Sequence, residues 1–224
     1  MGHKEFDLSG SSRIPLLRLV RVAKAFSTTM LHFEMSRLFG IRLQRARGSK
    51  DAAMSLPELR WIREIEPYRL AISARPRGGE WLEGDIAAWR SAGVDLVVSL
   101  IDSEEERDLD LELEAGLCRA SGIEFISFPI RDRGVPNSPD ATASLVDWVV
   151  SDLRRGLGVV IHCRLGIGRT GLVAGCVLRA LGHAHETVFP ILSRARGMPV
   201  PDTAAQAEWV RRFHTAAPQT GVRP

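Results

Sequence analysis

The chain has little cysteine and, beyond its first quarter, no lysine at all. Only Cys118, Cys163 and Cys176 occur among 224 residues. They form no close Cys–Cys pair and stand near no paired histidines, which excludes a zinc site of the usual ligand spacing. Three unevenly spaced thiols also argue against a disulfide-stapled secreted fold and for a reducing compartment, so a cytoplasmic location is expected. No apolar run is long enough to cross a membrane as a helix. Internal repeats and long low-complexity stretches are absent too.

The three lysines, Lys4, Lys24 and Lys50, mark a boundary. Residues 1–56 carry ten Lys and Arg against four Asp and Glu, whereas the remainder carries twenty against twenty-three. The net charge of +3 therefore belongs to the N-terminus, and the rest of the chain is slightly acidic. The expected division is a basic extension over 1–55 outside the fold, a catalytic domain over 56–216 and a short tail over 217–224. Within the extension, Leu16, Leu17, Val20, Ala23 and Phe26 can share one helical face, with Arg18, Arg21 and Lys24 on another. A membrane-surface helix, a targeting peptide, a disordered extension and translated sequence upstream of a start at Met54 all fit that composition.

From Leu59 onward, strand-like and helix-like segments alternate. Arg69 to Ser73, Val94 to Leu100, Ile123 to Phe128 and Gly158 to His162 are short, apolar and rich in β-branched residues. Leu82 to Ser91, Ser103 to Ala120 and Ala141 to Arg155 read as helices between them. This pattern predicts an α/β domain, a largely parallel sheet with helices on both faces, whose ligand site lies at the carboxyl ends of the strands.

The chemistry concentrates in His162-Cys163-Arg164-Leu165-Gly166-Ile167-Gly168-Arg169-Thr170-Gly171. A buried strand precedes it and an apolar helix, Leu172 to Leu181, follows. A strand, a glycine-bearing loop and a helix N-terminus point successive N–H groups at one place, where the helix dipole favours an anion. The same field, together with a neighbouring cation, favours the thiolate of Cys163 and makes it a nucleophile. Arg169 supplies a planar fork for two phosphate oxygens. The Thr170 hydroxyl is placed to donate to the sulfur as it leaves. Arg164, Leu165, Gly166, Ile167, Gly168 and Arg169 form the expected substrate cradle.

A bare Cys-x5-Arg is cheap. With His before it, Gly at the third loop position and Thr-Gly after it, the chance match falls to the order of 10⁻⁵. The stretch resembles the signature loop of the cysteine-dependent protein-tyrosine and dual-specificity phosphatases, His-Cys-x-x-Gly-x-x-Arg-(Ser/Thr)-Gly, at every specified position. Its Gly-x-Gly-Arg-Thr-Gly form resembles the kinase-associated-phosphatase branch. The resemblance runs from about Tyr68 to Phe213. It implies a three-layer α-β-α fold with a short central sheet.

Phe128-Pro129-Ile130-Arg131-Asp132-Arg133-Gly134-Val135-Pro136 is similar to the family's acid loop, which makes Asp132 the expected general acid. Asp140 is the rival carboxylate, though Ser138-Pro139-Asp140 reads better as a helix start. Pro201 to Val210 opens a helix with Asp202 or Thr203 as N-cap. The resemblance implies that Gln206 there positions the hydrolytic water. His162 is expected to hold Cys163 by hydrogen bonds to the loop backbone. In Ser103-Glu104-Glu105-Glu106 the stronger reading is helix capping, with Glu105 a weaker candidate to orient Arg169.

The expected activity is hydrolysis of phosphotyrosine, extending to phosphoserine and phosphothreonine, in a phosphorylated protein through a phosphocysteine. It needs no metal or other cofactor, because amides and guanidinium neutralise the phosphate. Nucleic acid is not an expected partner, and the sequence leaves the oligomeric state open. Arg131, Arg133 and Arg164 keep a phosphoinositide or inositol-phosphate substrate open. A non-catalytic phosphate-binding pseudophosphatase is the alternative from another class. Cys118 and Cys176 read as core thiols, and a role in shielding oxidised Cys163 depends on geometry.

Overall fold

The structure is a computed structural model that describes residues 58–213. The expected extension over 1–55 and tail over 217–224 lie outside the described residues, as do the outermost positions of the expected 56–216 domain.

Five strands form one sheet in the order β1-β2-β5-β3-β4. They are β1 (Arg60–Trp61), β2 (Leu70–Ala74), β3 (Leu96–Ser99), β4 (Glu124–Ser127) and β5 (Val159–Cys163). All neighbours run parallel except β1, which pairs antiparallel with β2. The helices are α1 (Leu82–Ser91), α2 (Ser103–Asp108), α3 (Glu114–Ala120), α4 (Pro139–Arg154), α5 (Gly168–Ala180), α6 (His185–Arg196) and α7 (Ala204–Arg212). This is the expected three-layer α/β architecture.

Each central strand is divided by the two-residue alternation of side chains. Leu70, Ile72, Leu96, Val98, Val159, Ile161 and Cys163 pack with residues of α4, α5, α6 and α7, among them Val146, Val149, Leu172, Val173 and Leu192. Ala71, Val97 and Val160 pack on the other side with Leu82, Ile86 and Trp89 of α1 and Cys118 of α3. Burial on both faces explains why β3 and β5 are buried at every residue.

The order also positions the site. β5 is the last strand in the chain but inserts between β2 and β3, with His162 opposite both Ser73 and Ser99. The loop after β5 therefore opens at the carboxyl edge where the strand order reverses, the place such sheets reserve for ligands.

The predicted helix over Ser103 to Ala120 is two helices. The chain breaks at Asp110, whose φ of 53° is left-handed and whose carbonyl accepts a hydrogen bond from the Gly79 N–H at 3.1 Å. The break lets Leu111 turn inward, where it is buried. At α4, Ser138 is the N-cap, its Oγ accepting from the Ala141 N–H at 3.1 Å, with Pro139 in the first turn. Asp140 is thereby part of a helix start, as its sequence context predicts.

Candidate active site

The loop between β5 and α5 is held from outside. Arg196 of α6 donates through Nε to the Gly166 carbonyl at 3.1 Å and through Nη2 to the Leu165 carbonyl at 3.0 Å. The Arg75 N–H reaches the Arg164 carbonyl at 3.5 Å. With these carbonyls engaged, the α5 N-terminus carries no side-chain cap, so its first N–H groups remain available to an anion. Gly166 has a φ of 67°, and a Cβ there would lie 2.3 Å from the Ser73 carbonyl oxygen. Only glycine meets both conditions.

A cavity of about 220 Å³ opens over this loop, lined by Cys163, Arg164, Leu165, Ile167, Gly168 and Arg169 together with Asp132, Arg133 and Asp202 from other segments. Five of the six residues expected to form the cradle thus face it. Gly166 does not, and its part is the turn itself.

Arg169 is buried, only 2 % exposed. Its Nη1 and Nη2 meet the two carboxylate oxygens of Glu105, the second contact at 3.0 Å. Nη1 also donates to the Ile130 carbonyl at 3.0 Å and reaches the Leu100 carbonyl at 3.4 Å, and Nη2 donates to Asp132 Oδ1 at 3.0 Å. Burial opposes the charge, but the Glu105 hydrogen bonds and the negative groups of Cys163, Glu105 and Asp132 outweigh it, so the guanidinium is held above its ordinary range. The capping expected of the acidic run belongs to Asp102, whose Oδ1 accepts from the Glu104 and Glu105 N–H groups at 3.1 and 2.9 Å. Glu105 is left free to turn toward Arg169, the role sequence reasoning ranked second.

On the far wall, Thr203 is the N-cap of α7 in a capping box with Gln206. The Gln206 Oε1 accepts from the Thr203 N–H at 3.2 Å, and its Nε2 donates to the Gly134 carbonyl at 3.0 Å. The side chain is buried and joins the helix start to the acid loop, so the expected water-positioning amide is committed to the protein. Asp202, one residue before the cap, lines the cavity instead. Arg133 faces it at 3.8 Å from the acid loop, held at a φ of 57°.

His162 does not bond the loop backbone as expected. Strand alternation sends it to the face opposite Cys163, where it is wholly buried. Its Nε2 lies 3.0 Å from Glu114 Oε1, and its ring lies 5.7 Å from that of Trp89. Glu114 was not foreseen, because nothing local in α3 distinguishes it from a solvated acid. Thr170 is also fully buried, and its hydroxyl has no partner and makes no bond to the sulfur. It belongs to the inward run of α5, where every residue from Arg169 to Leu178 is buried.

Cys118 and Cys176 are buried free thiols. Burial, with Glu114 adding to it, pushes Cys118 up to about 12, and burial also pushes Cys176 up. Neither is a ready thiolate. Cys118 packs on the opposite face of the sheet from Cys163, and Cys176 sits eight residues into α5, ~12 Å along the helix from its start. Neither stands where a disulfide to Cys163 would close without movement.

A family model described as "Polymorphic toxin system, DSP-PTPase phosphatase" matches residues 73–183, the span from the end of β2 through α5. The chain belongs to the cysteine-dependent protein-tyrosine and dual-specificity phosphatases. The fold of this phosphatase is similar to that of a kinase-associated phosphatase solved with serine in place of its catalytic cysteine, at a TM-score of 0.65 and 20 % identity over 71 % of this chain and 95 % of that one. Tk-PTP in its active form is 25 % identical over 71 % of this chain and 97 % of its own, with a TM-score of 0.58. PTPMT1 in complex with PI(5)P shares 16 % identity over 65 % and 89 %, with a TM-score of 0.55. No curated protein matches the sequence. Among the described residues no helix of this phosphatase is long and apolar enough to cross a membrane.

Proposed function

We propose that this phosphatase hydrolyses phosphotyrosine, and phosphoserine or phosphothreonine, in proteins of a reducing compartment such as the cytoplasm, through a phosphocysteine intermediate. The observation that carries the reading is the meeting of Cys163, Arg169 and Asp132 at one cavity above a helix N-terminus. The phosphate dianion displaces Asp132 from Arg169, and the loop amides bind its remaining oxygens. Cys163 Sγ attacks phosphorus in line, and the bond to the ester oxygen breaks. Asp132, displaced from the arginine, protonates that oxygen. Water then attacks the phosphocysteine, Asp132 takes one of its protons, and inorganic phosphate leaves with Cys163 restored as thiolate.

Hydrolysis of para-nitrophenyl phosphate in EDTA, then of phosphopeptides, tests the reading. Cys163→Ser should abolish turnover while phosphate binding survives. Asp132→Ala should cost roughly 10²-fold or more on a poor leaving group, less on an activated ester, and should remove the alkaline limb of the rate profile. If Asp140→Ala removed that limb instead, the acid would be the wrong carboxylate.

Arg133 and Arg164 on the cavity wall favour a second reading, a phosphoinositide or inositol phosphate as substrate. Faster turnover of such a lipid or sugar phosphate than of any phosphopeptide would select it. A pseudophosphatase would give no turnover with either. We assign the activity to residues 56–216, so removal of residues 1–53 should leave turnover of a small aryl phosphate unchanged.

A further inference from the structure

Two carboxylates line the cavity, and the mechanism above uses one. We propose that Asp202 is a second catalytic residue, the group that orients the attacking water in the hydrolysis of phosphocysteine. The inference rests on the phosphocysteine reading and assigns its second step.

Three features single Asp202 out. It immediately precedes the N-cap of α7, yet the cap is closed without it by Thr203 and Gln206, so its carboxylate is not needed by the helix. No hydrogen bond within the described residues engages it, and its one ion-pair contact, Arg133 Nη1 at 3.8 Å, is beyond hydrogen-bond length. Its Cβ lies 3.0 Å from the point where a side chain on Gly168 would begin, which seats it over the first residue of α5 and beside the phosphate cradle. The absence of a side chain at Gly168 is what lets Asp202 approach so closely. Asp132 and Arg133 bring the acid loop to the same cavity, and on the general-acid reading of Asp132 the leaving group occupies the space at their side during the first step. Once it departs, water fills that space between Asp132 and Asp202.

An ionised carboxylate only accepts hydrogen bonds. It gives nothing to the phosphoryl oxygens, but it can hold one O–H of a water and aim the oxygen lone pair at phosphorus. The P–O bond then forms as the P–Sγ bond breaks. The bonding electrons return to Cys163 as thiolate, and the other water proton passes to Asp132. Gln206, fixed between Thr203 and Gly134, braces the wall on which this group stands.

The test is stopped-flow hydrolysis of para-nitrophenyl phosphate, with nitrophenolate and inorganic phosphate followed separately and phosphoenzyme trapped by acid quench. Asp202→Ala should release one nitrophenolate per active site at the wild-type rate, then turn over ~10-fold or more slowly, with phosphoenzyme accumulating. Asp202→Asn keeps one acceptor oxygen and should recover part of the second step. Unchanged turnover in Asp202→Ala would overturn the assignment. So would equal slowing of burst and turnover, or an Arg133→Ala enzyme that reproduces the defect, since Asp202 would then act through its neighbour. Wild-type enzyme that releases phosphate but never forms phosphoenzyme, even in Asp202→Ala, would overturn the phosphocysteine reading and this step with it. Melting temperatures of both Asp202 variants separate misfolding from a kinetic effect.

Discussion

Arg169 and His162 are both buried cationic-type side chains beside Cys163, and each meets a glutamate, yet their surroundings differ sharply. Arg169 has both oxygens of Glu105, the Ile130 and Leu100 carbonyls and Asp132 as partners. His162 stands 3.0 Å from Glu114, but neither ring nitrogen and neither Glu114 oxygen makes an aligned hydrogen bond. Ser99, opposite His162 in the sheet, and Trp89 also bury unpartnered polar atoms. Arg169 faces the cavity, and its several partners over-determine its orientation. His162 lies on the other face of β5 from Cys163, against Trp89 of α1 and Glu114 of α3, and does not line the cavity. The comparison teaches that proximity to the cysteine in sequence and burial in space do not make two groups equivalent. Satisfaction of their hydrogen bonds divides the one that is aimed from the one that is packed.

The largest effect should come from breaking the aimed side at its centre. Arg169→Lys replaces a fork with a point charge, and turnover should fall by roughly 10²–10³-fold or more, while the circular dichroism spectrum stays native. Activity within 10-fold of wild type would show that the fork geometry is not what the site uses.

A smaller effect should follow from removing the brace. Glu105→Gln leaves a buried guanidinium facing a neutral amide, which should cost about 2–3 kcal/mol in chemical denaturation and lower turnover through misplacement of Arg169. Stability unchanged within error would mean that the two carbonyls and Asp132 hold the arginine alone.

The smallest effect is expected on the other side of the cysteine. Glu114→Gln removes a buried charge that forms no aligned bond and that helps burial raise Glu106 above its ordinary range. Stability should change by no more than about 1 kcal/mol in either direction, and turnover should stay near wild type. A loss matching that of Glu105→Gln would erase the distinction between the two pairs. It would also show that the histidine pair governs the thiolate.

Much of the site's arrangement was legible in the sequence, up to a physical limit. The Cys163-to-Arg169 loop could be read because one contiguous stretch supplies its backbone N–H groups and its glycine conformations. Asp132 was marked only by the resemblance of its loop to the family's acid loop, and the structure brings it to the cavity. Glu105, Glu114 and Asp202 were ranked low or passed over, because Glu105 and Glu114 meet residues 64 and 48 positions away and Asp202 lines a cavity shared with distant segments. An acidic side chain carries no local mark of which neighbour it will meet. Gln206 and Thr203 show the reverse. Their capping-box spacing is a local signal, and here the local role claims the amide that the family pattern assigned to water.

By itself, the sequence determined the α/β class, the near-continuous burial of β3 and β5, and the strand, glycine-bearing loop and helix that carry Cys163 and Arg169, because these follow from periodicities and spacings along the chain. The tertiary structure alone decided three things. It placed Glu105 on the arginine. It turned His162 away to the opposite face of β5, since adjacent residues in a strand point to opposite sides. It set Asp202 over Gly168, since only the packing of α7 against the start of α5 brings that turn to the cavity.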